Sequence, residues 1–250
     1  MCKAAKGKIL LLGGTEDGYI LAEKLAQSGL ACISSLAGRT HNPRLPAGAY
    51  RIGGFTPDGG LAAYIKREHI SLIIDATHPY AAQISAKAEA AATEAAIPYW
   101  RLERPNWQKQ AGDIWHYAAD ERQAAAMIPP CARAFLALGR QYLAPFTARA
   151  DCRFFARMIE PPENMRLPPN WQILLSRPQE AAAEQKLLQE LNITCLICRD
   201  SGAHSAYGKL AAARTLGLPA ILISRPKRQG AEHIFSDTDT VMRCLLKSAH

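Results

Sequence analysis

Long hydrophobic runs are scarce in this 250-residue chain. Behind the basic start Met1-Cys2-Lys3-Ala4-Ala5-Lys6-Gly7-Lys8 only four apolar residues stand before Gly13-Gly14. That is too few for the core of a signal peptide or for a membrane span, so a cytoplasmic protein that stays off membranes is expected. Cysteine is sparse as well: seven residues, odd in number and scattered, which fits a reducing compartment rather than a disulfide framework. Cys195 and Cys198 have the spacing of a redox or zinc pair. They fall inside Ile193–Cys198, which reads as a buried strand, and residues three apart on a strand face opposite ways; packed core cysteines are expected. His41, His69, His116, His204, His233 and His250 have no Cys or carboxylate at ligand spacing, so no metal site is expected. No block of Lys and Arg interleaved with aromatics occurs either, which speaks against nucleic acid although the net charge is +8. A polyanionic small molecule accounts for the excess charge equally well.

What is present is an alternation of strand and helix patterns, the mark of a parallel, doubly wound sheet. Lys8–Leu12 reads as a strand, Glu16–Gln27 as a helix, Leu30–Leu36 as a strand and Thr40–Gly54 as a turn-rich stretch. A helix over Gly59–Glu68, a strand ending at Asp75, a helix from Pro79 to Ala95 and a strand at Ile97–Trp100 follow. The pattern loosens, then resumes with strands at Ala132–Leu138, Cys152–Ile159, Trp171–Leu175, Ile193–Cys198 and Ala220–Ile223. Helices are expected at Gln179–Glu190, Ala206–Leu216 and Thr238–Lys247. With 48% hydrophobic residues the chain can bury a full core, and its length suits one large or two small domains. A boundary near residues 101 to 112 gives a first domain over 1–104 and a second over 105–250, with the last helix free to fold back onto the first.

Two strand ends carry loops suited to chemistry, and in open α/β sheets ligands gather beyond the carboxyl ends of strands. The first, Gly13-Gly14-Thr15-Glu16-Asp17-Gly18, fills the first and last places of the dinucleotide fingerprint G-x-G-x-x-G. Thr15 holds the middle place, where its hydroxyl could bond a phosphate oxygen, and the helix N-terminus behind it favours an anion. NAD enzymes place an Asp or Glu about twenty residues further on, for the ribose hydroxyls. Here the interval from Lys24 to Pro57 has no acidic residue and holds Ser34, Ser35, Arg39, His41, Arg44 and Arg51 instead. An arginine fork can grip a 2'-phosphate that a carboxylate would repel, so a bound dinucleotide is expected to be NADP(H), with Arg39 the first candidate. The second loop, Asp75-Ala76-Thr77-His78-Pro79-Tyr80, puts Asp, Thr and His at one strand end, with Pro79 suited to a first helical position.

These residues carry a resemblance. Leu12-Gly13-Gly14-Thr15, Ser35-Leu36-Ala37-Gly38-Arg39, Arg51-Ile52-Gly53-Gly54-Phe55, Gly60-Leu61 with Tyr64, and above all Asp75-Ala76-Thr77-His78-Pro79-Tyr80-Ala81 are joined by Arg101, Arg104-Pro105, Trp107, Asp200-Ser201-Gly202, Lys209, Ala212-Ala213 and Arg225-Pro226. Over nearly its whole length the chain resembles the precorrin-6A and cobalt-precorrin-6A reductases of cobalamin biosynthesis. The resemblance implies two Rossmann-like domains with the active site in the cleft between them. It also implies NADPH-dependent reduction of a carbon-carbon double bond in a ring-contracted tetrapyrrole rich in carboxylates, with other cobalamin-pathway enzymes as further partners. On its terms Gly13, Gly14, Thr15, Ser35, Gly38, Arg39, Gly53, Gly54 and Thr77 hold the cofactor. Arg104, Trp107, Ser201, Gly202 and Arg225 meet the substrate, and His78, Lys209, Asp75 and Tyr80 serve the chemistry. Asp17-Gly18 and Arg199 depart from the family's usual Glu-Ala and Lys.

The protein's task in such a reaction is to hold donor and acceptor carbons together and supply a proton. His78 and a tuned Lys209 suit the proton, with Tyr80 or water as further sources. His78 could instead orient its loop by hydrogen bonding, and Lys209 could be an exposed helix residue paired with a substrate carboxylate. An NADP-binding regulator of the same fold and a basic nucleic-acid binder are the rival classes.

Overall fold

A computed structural model describes residues 7–38, 44–159, 167–228 and 230–247. The chain divides into two compact units, one formed by Met1–Pro105 with Pro226–His250 and the other by Asn106–Arg225.

The first unit is built on β1 (Lys8–Leu12), β2 (Cys32–Leu36), β3 (Ala49–Ile52), β4 (Ile70–Asp75) and β5 (Tyr99–Leu102), with helices α1 (Glu16–Gln27), α2 (Leu61–Arg67) and α3 (Ala82–Glu94). All pairings are parallel, and with β12 (His233–Phe235) at one edge the sheet order β12-β5-β4-β1-β2-β3 reverses direction at β1 and β4. Because side chains alternate along a strand, β1 feeds two cores at once. Ile9 and Leu11 pack with Leu21 and Leu25 of α1, whereas Leu10 and Leu12 pack with Leu61 and Ile65 of α2 and with α3. That double burial explains why the strand reads as an unbroken apolar run.

The second unit holds β6 (Ile114–Ala118), α4 (Glu121–Met127), β7 (Arg133–Ala137), β8 (Arg153–Met158), β9 (Trp171–Leu175), α5 (Ala181–Glu190), β10 (Cys195–Arg199), α6 (Gly208–Thr215) and β11 (Pro219–Ile223). Its sheet, again parallel throughout, runs β6-β11-β10-β7-β8-β9. Cys198 lies in the core shared with Leu188 and Leu210, while Cys195 lines a separate apolar recess with His116, Met127 and Ile221. The two cysteines thus face opposite ways, and burial pushes their thiols up to about 12 for Cys195 and about 11 for Cys198. Cys32, Cys131 and Cys152 are free thiols too, but Cys244 is disulfide-bonded, a departure from the expected set of reduced thiols.

The chain then returns. Strand β12 (His233–Phe235) pairs with β5, and α7 (Thr238–Lys247) packs against α1, so the stretch after Arg225 belongs to the first unit and not to a second domain over 105–250. Phe235, Val241, Met242 and Leu245 complete the core that contains Trp100 and Leu102. Four elements depart from expectation: β3 lies in the supposedly turn-rich stretch, and β6, α4 and β12 fall where no element is expected. Helix α3 begins at Ala82, leaving Pro79 in the turn before it rather than at its first position.

Candidate active site

In the first unit the two strand-end loops meet at the reversal point. Leu12 accepts a hydrogen bond from the Ala76 amide at 2.9 Å, and the Thr15 hydroxyl donates to the Ala76 carbonyl at 2.7 Å while accepting from the Gly18 amide at 3.1 Å. Thr15 is therefore the N-cap of α1. Its single donor is directed to the Ala76 carbonyl. Gly18 packs against the turn itself, since a Cβ there would lie 3.3 Å from the Gly13 Cα. Gly14 has φ +108° and open space around the position a side chain would take. Among the described residues the amides of Gly14, Thr15, Glu16 and Asp17 have no hydrogen-bond acceptor in the protein. The two acids of this first turn are neutralised by arginines, Glu16 by Arg44 and Asp17 by Arg104.

At the ends of β2 and β3, Arg51 acts as a clasp. Its guanidinium donates to Ser35 Oγ (3.1 Å), to the carbonyls of Gly53 (3.0 Å) and Gly54 (2.8 Å) and to Asp58 (2.9 Å), and it lies 4.0 Å over the Phe55 ring. Ser35, Gly38, Gly53 and Gly54 thus share one rim with the glycine turn. Arg39 and His41 lie outside the described residues.

Asp75 is fully buried at the end of β4. One carboxylate oxygen accepts from the Thr77 amide (2.9 Å) and hydroxyl (2.6 Å), the other from the Tyr99 hydroxyl (2.7 Å), and Arg228 stands 3.7 Å away. Burial, then the Asp75 charge, pushes the Tyr99 phenol well above its ordinary range. Asp75 thus ties together its own turn and β5. His78 is exposed, and its Nδ1 accepts from the Tyr80 amide at 3.3 Å, which leaves the proton of the neutral ring on Nε2. The Tyr80 ring lies 5.5 Å from it.

The remaining candidates gather in the second unit around the end of β10. Asp200, buried, accepts from Asn106 Nδ2 (2.8 Å) and the Trp107 amide (3.1 Å), and its carbonyl accepts from Arg225 Nε (2.8 Å). Ser201 Oγ accepts from the Ala203 amide, and Gly202 has φ +66°. Lys209 is buried rather than exposed: its ammonium donates to the Ala206 carbonyl and sits 4.9 Å from the Trp107 ring. Burial lowers its pKa. Arg104, Lys209 and Arg225 are thus already engaged. Arg140 and Arg177, at the ends of β7 and β9, make no ion pair among the described residues and were not singled out from the sequence. Nothing in their local sequence marks them. No group of three or more potential metal ligands occurs among the described residues, and no helix there is long and apolar enough to cross a membrane.

Comparison with known proteins assigns this arrangement. The family described as Precorrin-6x reductase CbiJ/CobK matches residues 8–246. The chain belongs to this family. It is 42% identical to the precorrin-6A reductase of Rhodococcus erythropolis over 92% of this chain and 94% of that one, and 41% identical to that of Rhodobacter capsulatus over 88% of each. A solved structure, CobK precorrin-6A reductase, superposes with a TM-score of 0.90 at 40% identity over 97% of both chains. A cobalt-precorrin-6A reductase from Priestia megaterium is 28% identical over 95% of this chain and 98% of its own. As a precorrin-6x reductase, the chain is an oxidoreductase of cobalamin biosynthesis that acts on a carbon-carbon bond and needs a nicotinamide cofactor.

Proposed function

We propose that this chain, in the cytoplasm and without a nucleic-acid or membrane partner, reduces one double bond of metal-free precorrin-6A to the 6B form with NADPH. The observation that carries the reading is the junction of the glycine turn after β1 with the Thr77–Tyr80 turn after β4, tied through Thr15 and Ala76. The residues present fit a dinucleotide: Gly14 leaves open the space a side chain would fill, and among the described residues the amides of Gly14, Thr15, Glu16 and Asp17 have no acceptor. Gly13, Gly14, Ser35, Gly38, Gly53, Gly54 and Thr77 would line its path, with Arg39 on the 2'-phosphate. When bound, the cofactor supplies hydride. The protein's own part is to pair the acids of the first turn with arginine, so that they do not repel phosphate, and to hold the β4 turn rigid.

His78 serves as an orienting residue, because its Nδ1 is occupied by the Tyr80 amide and taking a second proton there would break that bond. Water then delivers the proton. Arg140 and Arg177, which follow β7 and β9 and make no ion pair among the described residues, meet substrate carboxylates. The metal-free substrate is favoured because the precorrin-6A reductases named above are 41–42% identical, against 28% for the cobalt-precorrin enzyme.

The test is NADPH oxidation with precorrin-6A and with its cobalt form, at rising salt. Turnover with the metal-free substrate and a Michaelis constant that climbs with ionic strength are expected. Arg39→Ala should weaken NADPH by about 1.5–3 kcal/mol and leave NADH unchanged. Equal affinity for NADPH and NADH in the unmutated protein, or exclusive use of the cobalt form, would overturn the respective parts.

A further inference from the structure

We propose that Arg228, carried by the returning segment between Arg225 and β12, is a positioning residue for the Asp75–Tyr80 turn. Asp75 is wholly out of water, and an unpaired buried carboxylate is strongly destabilising. The groups facing it are the Thr77 amide and hydroxyl from its own turn, the Tyr99 hydroxyl from β5, and the Arg228 guanidinium 3.7 Å away. Arg228 is itself held in place: it donates to Ser85 Oγ on α3 at 2.9 Å, stands 3.5 Å from Glu103, and has a side chain only 6% exposed. Glu103 is also paired with Arg101, at 2.8 Å. Buried Asp75 and half-buried Glu103 therefore share two guanidiniums, and these are not equivalent. Arg101 pairs with Glu103, whereas Arg228 is the cation beside the carboxylate that holds Thr77.

The consequence is directional. With Arg228 gone, Glu103 keeps Arg101, but Asp75 loses the guanidinium that stands beside its carboxylate. A carboxylate left without its cation draws in water or shifts toward another donor, and the Thr77 amide and hydroxyl move with it. That turn adjoins the glycine loop through Thr15 and Ala76. Arg228 thereby acts on the site without touching it.

The kinetic part of the test rests on the proposed reduction of precorrin-6A by NADPH; the exchange part does not. In Arg228→Met, Thr77 amide exchange should accelerate about 10- to 100-fold while amides of β1 and β10 keep their protection. Turnover should fall about 10- to 100-fold, and because Thr77 lines the proposed cofactor path, NADPH should bind more weakly as well. Adding Asp75→Asn to Arg228→Met removes the orphaned charge and keeps an oxygen for Thr77, so protection and turnover should both recover toward the unmutated values. Arg228→Lys should lie between, and this variant and the double variant decide the matter if Arg228→Met does not fold. Unchanged Thr77 exchange in a folded variant, exchange rising uniformly through the unit, or no recovery in the double variant would overturn the proposal. If the unmutated protein fails to reduce precorrin-6A, the functional reading falls while the exchange result still decides the role of Arg228.

Discussion

At the residue scale, Gly14 and His78 make opposite demands on their neighbours. Gly14 needs a conformation that L side chains rarely adopt and leaves space that the protein itself does not use. Gly14→Val should therefore cost about 1–2 kcal/mol of stability through the left-handed backbone yet abolish NADPH binding, because the branched side chain occupies the approach to the phosphates. Circular dichroism and an NADPH fluorescence titration separate the two effects, and a folded variant with normal titration would remove the turn from the cofactor site. His78 needs only an acceptor for the Tyr80 amide. Asparagine supplies one in the same kind of turn, so His78→Asn should stay within about tenfold of full turnover and keep the pH profile, with His78→Ala slower. A loss of about 100-fold or more in both variants, together with a vanished titration near neutrality, would instead make His78 the general acid.

At the element scale, helix α6 shows how packing converts an ordinary lysine into a buried one. A Cβ at Gly208 would collide with the carbonyl of Gln179, so the start of α6 lies directly on the backbone leading into α5, and Lys209 is drawn inside with it. Its pKa falls below the ordinary 10.5 because burial penalises the ammonium. Between that lowered value and 10.5 the unfolded chain binds more protons, so stability rises with pH across this window and is lost as pH falls through the folded value. Lys209→Met should accordingly raise the melting temperature at pH 7, with the gain shrinking toward pH 10.5; equal gains at both pH values would refute the burial penalty. The sequence left a tuned and an exposed Lys209 open side by side, and the contact that buries it is made only by the fold. The sequence did disclose the central strands β1, β4, β7, β8, β10 and β11, whose two buried faces leave continuous apolar runs. The strands it hid, β3, β6 and β12, are all sheet edges with exposed Tyr50, Ile114, Tyr117 and Ile234. An edge strand draws its order from one neighbour and needs no apolar run of its own. The site divides in the same way: both strand-end loops are local and legible, whereas Tyr99 and Arg228 reach Asp75 only through the fold.

At the scale of the whole molecule, the chain crosses between units twice, after Pro105 and after Arg225, and each sheet has a sixth strand from outside the five-strand block. In the second unit that strand is β6, contiguous with the rest, whereas in the first it is β12, delivered last. The glycine turn and the β4 turn, both encoded within the first 80 residues, thus depend on the final 25. Phe235, Val241, Met242 and Leu245 are all buried in the first unit's core. At about 1.5–3 kcal/mol for each buried apolar side chain, their removal withdraws an amount comparable with the roughly 5–15 kcal/mol that holds a typical domain together. Losing Arg228 would further strand Asp75. A chain ending at Arg225 should therefore lose NADPH binding entirely and show a single unfolding transition, that of the second unit, whose six strands all lie between Ile114 and Ile223. Calorimetry of the truncated chain with an NADPH titration decides it. Two surviving transitions, or retained cofactor affinity, would mean that the first unit is stable without its returning strand and helix.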